Sequence, residues 1–170
     1  KPETIVSSQS LRLPNDIDNL ILTGTANIRG IGNNLDNTIE GNAGKNRLKG
    51  KSGSDTLIGN ESKDVLTGGR NNDTFLYQSI NDSGTTRATR DVITDFTADD
   101  TIDLSRIDAD PNTTGDQAFV FIGSDRFSDV GQARFTSNGL LSLNIDDDLV
   151  ADFQIKLKGV NDLPDNSWIL

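Results

Sequence analysis

Aspartate recurs every nine residues in the middle of this 170-residue sequence, at Asp55, Asp64 and Asp73. Each aspartate lies five residues after a glycine and two residues before an apolar side chain. Carboxylates, together with backbone carbonyls bared by glycine turns, are the oxygen donors that calcium prefers in proteins. The spacing therefore predicts a repeated oxygen-donor site, and calcium is the predicted cofactor.

Other site chemistries find little support. The chain has no cysteine and no histidine, which excludes disulfides and thiolate sites and removes the commonest zinc ligand and general base. The tripeptide GKS at 50–52 lacks the glycine that a phosphate-binding loop needs five residues before Gly50, and no nucleophile-elbow sequence occurs. We expect no catalytic residues and no enzyme activity.

The aspartates belong to a nonapeptide repeat with five registered copies, which begin at Gly32, Gly41, Gly50, Gly59 and Gly68. Position six is Asn or Asp, and position eight is always apolar. A flexible linker has no reason to place an apolar residue at every ninth position. In chain order, position six reads Asn37, Asn46, Asp55, Asp64 and Asp73, and position eight reads Ile39, Leu48, Leu57, Leu66 and Phe75.

Short strands separated by glycine turns explain this repeat better than helices, because glycine and asparagine favour turns and disfavour helix interiors. Two copies make one 18-residue winding of a flattened coil, whose strands stack about 4.8 Å apart. The apolar residues then point inward. Stacking places Asp73 over Asp55 on one edge and Asp64 over Asn46 on the other, and stacked carboxylates repel unless a cation lies between them.

The nonapeptides GGRNNDTFL at 68–76 and GKSGSDTLI at 50–58 resemble the calcium-binding repeat of RTX proteins. The segments FLYQSINDS, DVITDF, DTIDLS and ADFQIKLKGV that follow resemble the C-terminal domain of serralysin-type secreted proteases. The resemblance implies an all-β fold, a parallel β-roll capped by a C-terminal antiparallel β-sandwich-like region. It divides the chain into an N-terminal segment and roll entry (1–31), the roll (32–82) and the cap with a secretion signal (83–170).

The resemblance also implies how calcium is held. One turn offers the backbone carbonyls of its positions two and four and the carboxylate of its aspartate. The turn 18 residues later offers the backbone carbonyls of its positions one and three and the carboxylate of its own aspartate. The best-matching set is Lys51, Gly53 and Asp55 with Gly68, Arg70 and Asp73. A second set is Asn42, Gly44 and Asn46 with Gly59, Glu61 and Asp64; a weaker one is Asn33, Leu35 and Asn37 with Gly50, Ser52 and Asp55; and a last one is Asn60, Ser62 and Asp64 with Asp82.

Departures from the consensus lower the expected number of ions to between one and three. Asparagine at position six keeps an acceptor but has no charge, so we expect amide-to-backbone hydrogen bonds in the first two copies. Asp91 and Asp95 could contribute near Asp82 or could be solvated acids at strand ends. The loop NIDDDLVADF at 144–153 lacks the glycine and the glutamate of a helix-flanked calcium loop, and we interpret it as a solvated acidic turn.

From Asp91 onward the period of nine disappears, and short alternating segments predict antiparallel strands that cap the roll. The expected core of this region is Phe96, Leu104, Phe119, Phe121, Leu141, Leu143, Phe153, Ile155 and Leu157. Trp168 is predicted to pack as an anchor.

The resemblance implies a non-enzymatic calcium-binding module of a secreted bacterial protein, which folds outside the cell when it meets calcium. A type I ABC transporter is the implied transient partner, with an uncleaved export signal near the C-terminal LPDNSWIL. A covalently linked N-terminal domain outside this chain is a second implied partner.

An alternative function is a polysaccharide-binding or adhesin accessory module. Lys45, Arg47, Lys49, Lys51 and Lys63 could meet an anionic polysaccharide, or they could simply solubilise an exposed face. Nucleic acid is not an expected partner, because the formal net charge is −10 and residues 91–170 carry 16 Asp and Glu against 5 Lys and Arg.

Overall fold

The computed structural model describes residues 2–163 and the backbone of residues 168–169, and it consists almost entirely of short strands. One helical turn, Ile80–Asp82, is found among these residues. No helix in the described ranges is long and apolar enough to cross a membrane. The strands are β1 Thr4–Ser7, β2 Leu11–Arg12, β3 Asn19–Leu22, β4 Arg29–Ile31, β5 Thr38–Glu40, β6 Arg47–Ser52, β7 Thr56–Ile58, β8 Val65–Arg70, β9 Thr74–Leu76, β10 Asp91–Ile93, β11 Thr101–Asp103, β12 Val120–Phe121, β13 Gln132–Thr136, β14 Leu140–Asn144, β15 Phe153–Leu157 and β16 Trp168–Ile169.

The chain winds between two sheets, as the repeat predicted. Odd-numbered strands β1 to β11 and then β16 form one parallel sheet, and even-numbered strands β2 to β10 form the parallel part of the other. Leu57 pairs with Ile39 on one side and with Phe75 on the other, which confirms the 18-residue winding. The all-β parallel β-roll is therefore confirmed.

The core lies between the two sheets and is built from the predicted inward positions. Ile39, Leu48, Leu57, Leu66 and Phe75 are completely buried. Alternation along each short strand sends every second side chain inward, so each winding adds one apolar layer to a narrow core. The core expected for the C-terminal region is also buried except for Phe121, which is half-buried against it; the buried residues are Phe96, Leu104, Phe119, Leu141, Leu143, Phe153, Ile155 and Leu157.

The parallel ladders extend beyond the predicted roll of residues 32–82. They begin at Thr4 and continue through Asp103, because β1 to β4 stack like the later strands and β10 and β11 pair in parallel with β8 and β9. The first windings lack the glycine and aspartate consensus, so the repeat pattern did not predict that they belong to the roll. The division of the chain into three segments remains a prediction.

The antiparallel strands predicted after Asp91 are present, but they make up only part of that region. Strands β10 and β11 belong to the parallel roll, and β12 also pairs in parallel with β13. Only β13, β14 and β15 form an antiparallel meander among the described strands, and it continues the second sheet because β15 pairs with β10. The side chain of the expected anchor Trp168 lies outside the described residues.

Candidate metal centre

Three turns carry the aspartates, at 50–55, 59–64 and 68–73, and all three share a left-handed backbone at positions two and four. The φ angles are +94° and +108° at Lys51 and Gly53, and +124° at Gly69. Glycine adopts this conformation without strain, whereas lysine does so at a cost. The turn at 59–64 uses Asn60 and Ser62 at these positions.

Glycine at position one is needed because the aspartate side chain folds back over it. A Cβ atom built on Gly50 would collide with Asp55 Oδ2 and would lie 2.6 Å from the carbonyl oxygen of Gly68. Gly68 and Gly59 face the Oδ2 atoms of Asp73 and Asp64 in the same way. At Gly50 the turn therefore brings a carboxylate oxygen and a carbonyl from the next winding close to the same glycine.

The aspartates stack along the edges of the roll as predicted. The backbone N–H of Asp55 donates to Asp73 Oδ1 at 2.9 Å, and the N–H of Asn46 donates to Asp64 Oδ1 at 2.6 Å. The N–H of Thr74 in turn donates to the carbonyl of Asp55. Each carboxylate thus uses one oxygen to hold the winding before it.

The second oxygen of each carboxylate has no hydrogen-bond partner. The Oδ2 atoms of Asp55, Asp64, Asp73 and Asp91 are all buried without a hydrogen-bond partner. A buried carboxylate that lacks a partner is costly when ionised, and a cation or a proton relieves the cost.

Burial raises the pKa of all four carboxyl groups. The pKa of Asp55 rises to about 7, mainly through burial and further through the charge of Asp73, although the hydrogen bond from Asn37 opposes the rise. Burial and then the charge of Asp91 raise the pKa of Asp64 to about 9. Burial likewise raises the pKa of Asp73 to about 6 and that of Asp91 to about 7.

These oxygens fit calcium. The described residues contain no cluster of three or more acidic, histidine or cysteine side chains able to hold a metal, so carbonyls must complete any cation site. Calcium accepts such mixed carboxylate and carbonyl donors, with six to eight oxygens at about 2.3–2.6 Å. Asp55 Oδ2 and the Gly68 carbonyl already approach each other around Gly50.

The structure brings together some members of the first predicted donor set, which pairs the turn at 50–55 with the turn at 68–73. Asp55, Asp73 and Gly68 lie on neighbouring windings. Lys51 pairs with Gly69 and Ser52 with Arg70, because β6 and β8 extend into the turns. The Lys51 carbonyl lies against the Cα of Gly69, and Gly53 lies against the Leu35 carbonyl of the winding before it.

In the second predicted set, side-chain amides occupy the place of the second carboxylate. Asn42 Nδ2 donates to the carbonyls of Thr23 and Ala26, both at 3.1 Å, and Asn46 Nδ2 donates to Asn42 Oδ1 at 2.7 Å. Gly44 packs against the Ala26 carbonyl. These carbonyls are therefore already satisfied by amide hydrogens. Gly59 and Asp64 lie on the following winding, where Glu61 is exposed.

The Asn33 and Asn37 turn repeats the arrangement. Asn33 Nδ2 donates to the carbonyls of Pro14 and Ile17, both at 2.6 Å, and Asn37 Nδ2 donates to that of Asp18 at 3.1 Å. The amide-to-backbone bonds expected in the first two copies are therefore present. Neither turn has a positive φ at position two or four.

The placement of Asp82 over Asp64 was wrong. The residue in that place is Asp91, whose Oδ1 accepts the N–H of Asp64 at 2.7 Å. Asp82 instead closes the turn Ile80–Asp82 by accepting the N–H groups of Gln78 and Ser79. Nine extra residues loop out here, so stacked residues are 27 rather than 18 positions apart in the sequence. Asn60 and Ser62 lie, as predicted, in the turn before Asp64.

Two copies of the repeat were missed, since Asp91 and Asp100 are nine residues apart and are followed by Ile93 and Ile102. Asp100 Oδ1 accepts the N–H of Asp73 at 2.9 Å, and Asp95 Oδ1 accepts that of Gly68 at 3.1 Å. The continued nine-residue spacing was a signal that could have identified both copies. The missing glycines at position one concealed it.

Comparison with known proteins agrees with this geometry. No curated protein matches the chain. The solution structure of the AlgE6R3 subunit from the Azotobacter vinelandii mannuronan C5-epimerase is similar in fold, with a TM-score of 0.56 and 22% identity over 95% of this chain and 82% of that one. The model of the family described as peptidase M10 serralysin C terminal matches residues 16–169. The chain therefore belongs to the serralysin C-terminal family, whose β-roll is a calcium-binding, RTX-type module of secreted proteins.

Proposed function

We propose that this chain is a non-catalytic module of a secreted bacterial protein, whose aspartate windings complete their folding when they bind calcium outside the cell. The observation that carries the proposal is the set of four buried carboxylates, each with one oxygen that has no partner. Family membership supports the calcium-binding and extracellular parts of the proposal.

The mechanism follows from the cost of those carboxylates. At low calcium and neutral pH, the ionised forms of Asp55, Asp64, Asp73 and Asp91 oppose folding, because they must lose water and approach one another. Calcium bound between windings replaces that water with a positive charge, so its binding energy becomes folding energy. The cytosol then favours a loose chain and the exterior a folded one.

A loose chain suits passage through a type I ABC transporter, which we propose as the transient partner. Folding outside would oppose backward movement of the exported chain. The export signal proposed near the C-terminus falls largely on residues 164–167 and 170, which lie outside the described residues. An N-terminal domain beyond this chain would travel with it.

Circular dichroism with and without a calcium chelator tests the coupling between calcium and folding. We expect chelation at pH 7.5 to reduce the β signal of the wild-type chain and calcium to restore it. The Asp55→Asn/Asp73→Asn variant should lose most of this response. The matched control is Asp116→Asn/Asp125→Asn, which changes two exposed carboxylates that make no hydrogen bond in the described structure. An equal response in all three proteins would contradict the proposal.

A further inference from the structure

Nine basic side chains form a grid on the outer face of the second sheet. We call this set the basic grid, and its three rows run across the strands. The rows are Lys45, Lys63 and Arg90; Arg29, Arg47 and Lys156; and Arg12, Lys49 and Lys158.

Strand register aligns each row. In the middle row Arg29 pairs with Arg47, and the row continues through Val65 and Val92 to Lys156. This row therefore covers four strand spacings, about 19 Å at ~4.8 Å each. Rows are two residues apart along the strands, so the grid extends in both directions over the part of this face formed by the even-numbered strands β2 to β10 and by β15.

Alternation along the strands turns these side chains away from the core. Their neighbours Leu48, Leu66, Ile93 and Leu157 point inward and are completely buried. The grid residues on the first windings are exposed; they are Arg12, Arg29, Lys45, Arg47 and Lys49.

None of the nine side chains forms an ion pair within the described residues, although the chain carries 26 Asp and Glu. Three of them donate to neutral acceptors instead. Lys63 donates to the Arg87 carbonyl, Arg90 to Gln154 Oε1 and Lys156 to the Asn138 carbonyl. Beside the grid, burial and then the charges of Arg12 and Lys49 lower the pKa of Lys51. The nine cations therefore lie close together on one face without an ion-pair partner among the described residues, although the charge of Lys63 also lowers the pKa of Asp91.

Two shallow depressions, of about 470 and 350 Å³, lie along the grid and share Lys63. Val92 contributes to the first and Ile28 and Val65 to the second, so basic side chains surround an apolar floor. Such a floor suits the C–H faces of sugar rings, and the surrounding cations suit acidic groups.

The geometry points to an acidic polysaccharide, a polyuronate with one carboxylate per sugar, as the ligand of the basic grid. Cations set at multiples of the ~4.8 Å strand spacing suit an extended polyanion that carries its carboxylates at intervals along the chain. No aromatic side chain faces outward from the described strands of the grid, which disfavours stacking of nucleic-acid bases. The net charge of −10 further disfavours a polyanion as dense in charge as duplex DNA. This binding activity goes beyond the proposed function.

Binding to immobilised polygalacturonate in calcium-containing buffer tests the inference. The variant Arg29→Gln/Arg47→Gln removes two exposed cations that make no hydrogen bond through their side chains. We expect it to bind at least about tenfold more weakly than the wild type. Arg106→Gln/Arg126→Gln removes the same charge from exposed positions outside this sheet and should bind within about twofold of the wild type. Fully methyl-esterified polygalacturonate, which keeps the sugar backbone without its charge, should not bind.

Each other outcome overturns the inference. Equal binding of all three proteins would indicate calcium bridges between the polymer and the acidic surface rather than the grid. Tighter binding of the wild type to duplex DNA or to phosphatidylserine vesicles would assign the grid to another polyanion, and no binding to polygalacturonate would leave it without this ligand. If the grid variant has a lower melting temperature than the wild type, its weaker binding could reflect loss of folding. The Arg29→Lys/Arg47→Lys variant then tests the inference, because it keeps the charge and must bind like the wild type. Wild-type affinity must also fall as NaCl rises from about 50 to about 300 mM.

Discussion

At the residue scale, the choice between aspartate and asparagine at position six decides how a turn is held. Asn46 satisfies its neighbours through amide hydrogens, whereas Asp55 and Asp73 each keep an oxygen that has no partner. The sequence alone was sufficient to predict this difference, because it follows from the donor inventory of the two side chains. The role of Asp82 could not be predicted, because an insertion changes which residues stack without changing the nine-residue spacing of the aspartates.

We expect Asp73→Asn to stabilise the calcium-free chain and to weaken its response to calcium. The amide removes a buried charge, so the melting temperature in chelator should rise. Loss of one site would remove about 2.7 kcal/mol of calcium-dependent stability at a calcium concentration of 100 times Kd. Thermal melts in chelator and in calcium measure both effects. A lower melting temperature in chelator would contradict this account, and Asp116→Asn serves as the control.

Gly50→Ala tests the close approach of Asp55 to its own turn. The new Cβ would displace the carboxylate and crowd the Gly68 carbonyl, at a cost of about 1–3 kcal/mol plus a loss of calcium affinity. Gly159→Ala is a suitable control, because that glycine has a φ of +81° but open space around it, so only backbone strain of about 1 kcal/mol is expected. Urea unfolding in calcium compares the two, and an equal loss with unchanged calcium affinity would argue against the approach.

At the element scale, the roll consists of two kinds of winding. The windings through residue 49 are held by asparagine amides, and those from residue 50 to residue 103 carry the unpaired carboxylates. The repeat predicted the strands of the middle windings well, because inward apolar residues and glycine turns are both present there. It did not show that β10 and β11 belong to the roll, because glycine is absent at position one there, and it did not show this for β1 to β4, because they lack the consensus altogether.

This division predicts that calcium removal loosens the roll from one end. In hydrogen exchange, we expect chelation to expose the amides of β8 to β11 much sooner than those of β4 and β5. The reason is that asparagine amides remain bonded without metal, whereas the stacked aspartates repel each other. Mass spectrometry of peptides from the two regions measures the difference. Simultaneous loss of protection in both regions would contradict it.

At the scale of the whole molecule, charge is distributed unevenly over the roll. Carboxylates line the edges of the windings, and the basic grid covers one outer face. Sequence spacing indicated a basic patch that includes Lys45, Arg47, Lys49 and Lys63. It could not show the whole grid, because the nine residues extend from Arg12 to Lys158 and only strand register brings them together. A repeat predicts which residues stack on adjacent windings of the roll. The composition of an outer face also depends on where the final strands pair with the sheet.

The stability of the calcium-free chain should fall as pH rises from about 4 towards 7. The folded-state pKa values of Asp73, Asp55 and Asp91 are raised to about 6, 7 and 7, against 3.8 for an ordinary aspartate. The folded chain therefore holds protons that the unfolded chain has released over this range, and stability decreases with pH. Calcium competes with those protons, so its stabilising effect should grow over the same range. Melting temperatures in chelator that rise from pH 5 to pH 7 would contradict the account.

The central claim is that a divalent cation joins stacked windings through their aspartates. Anomalous diffraction from crystals grown in calcium tests it most directly. We expect a calcium peak within bonding distance of Asp55 Oδ2 and the Gly68 carbonyl, beside the stacked Asp73. An ordered roll at saturating calcium, with no cation at these oxygens and with both carboxylates instead protonated or bonded to water, would contradict the claim.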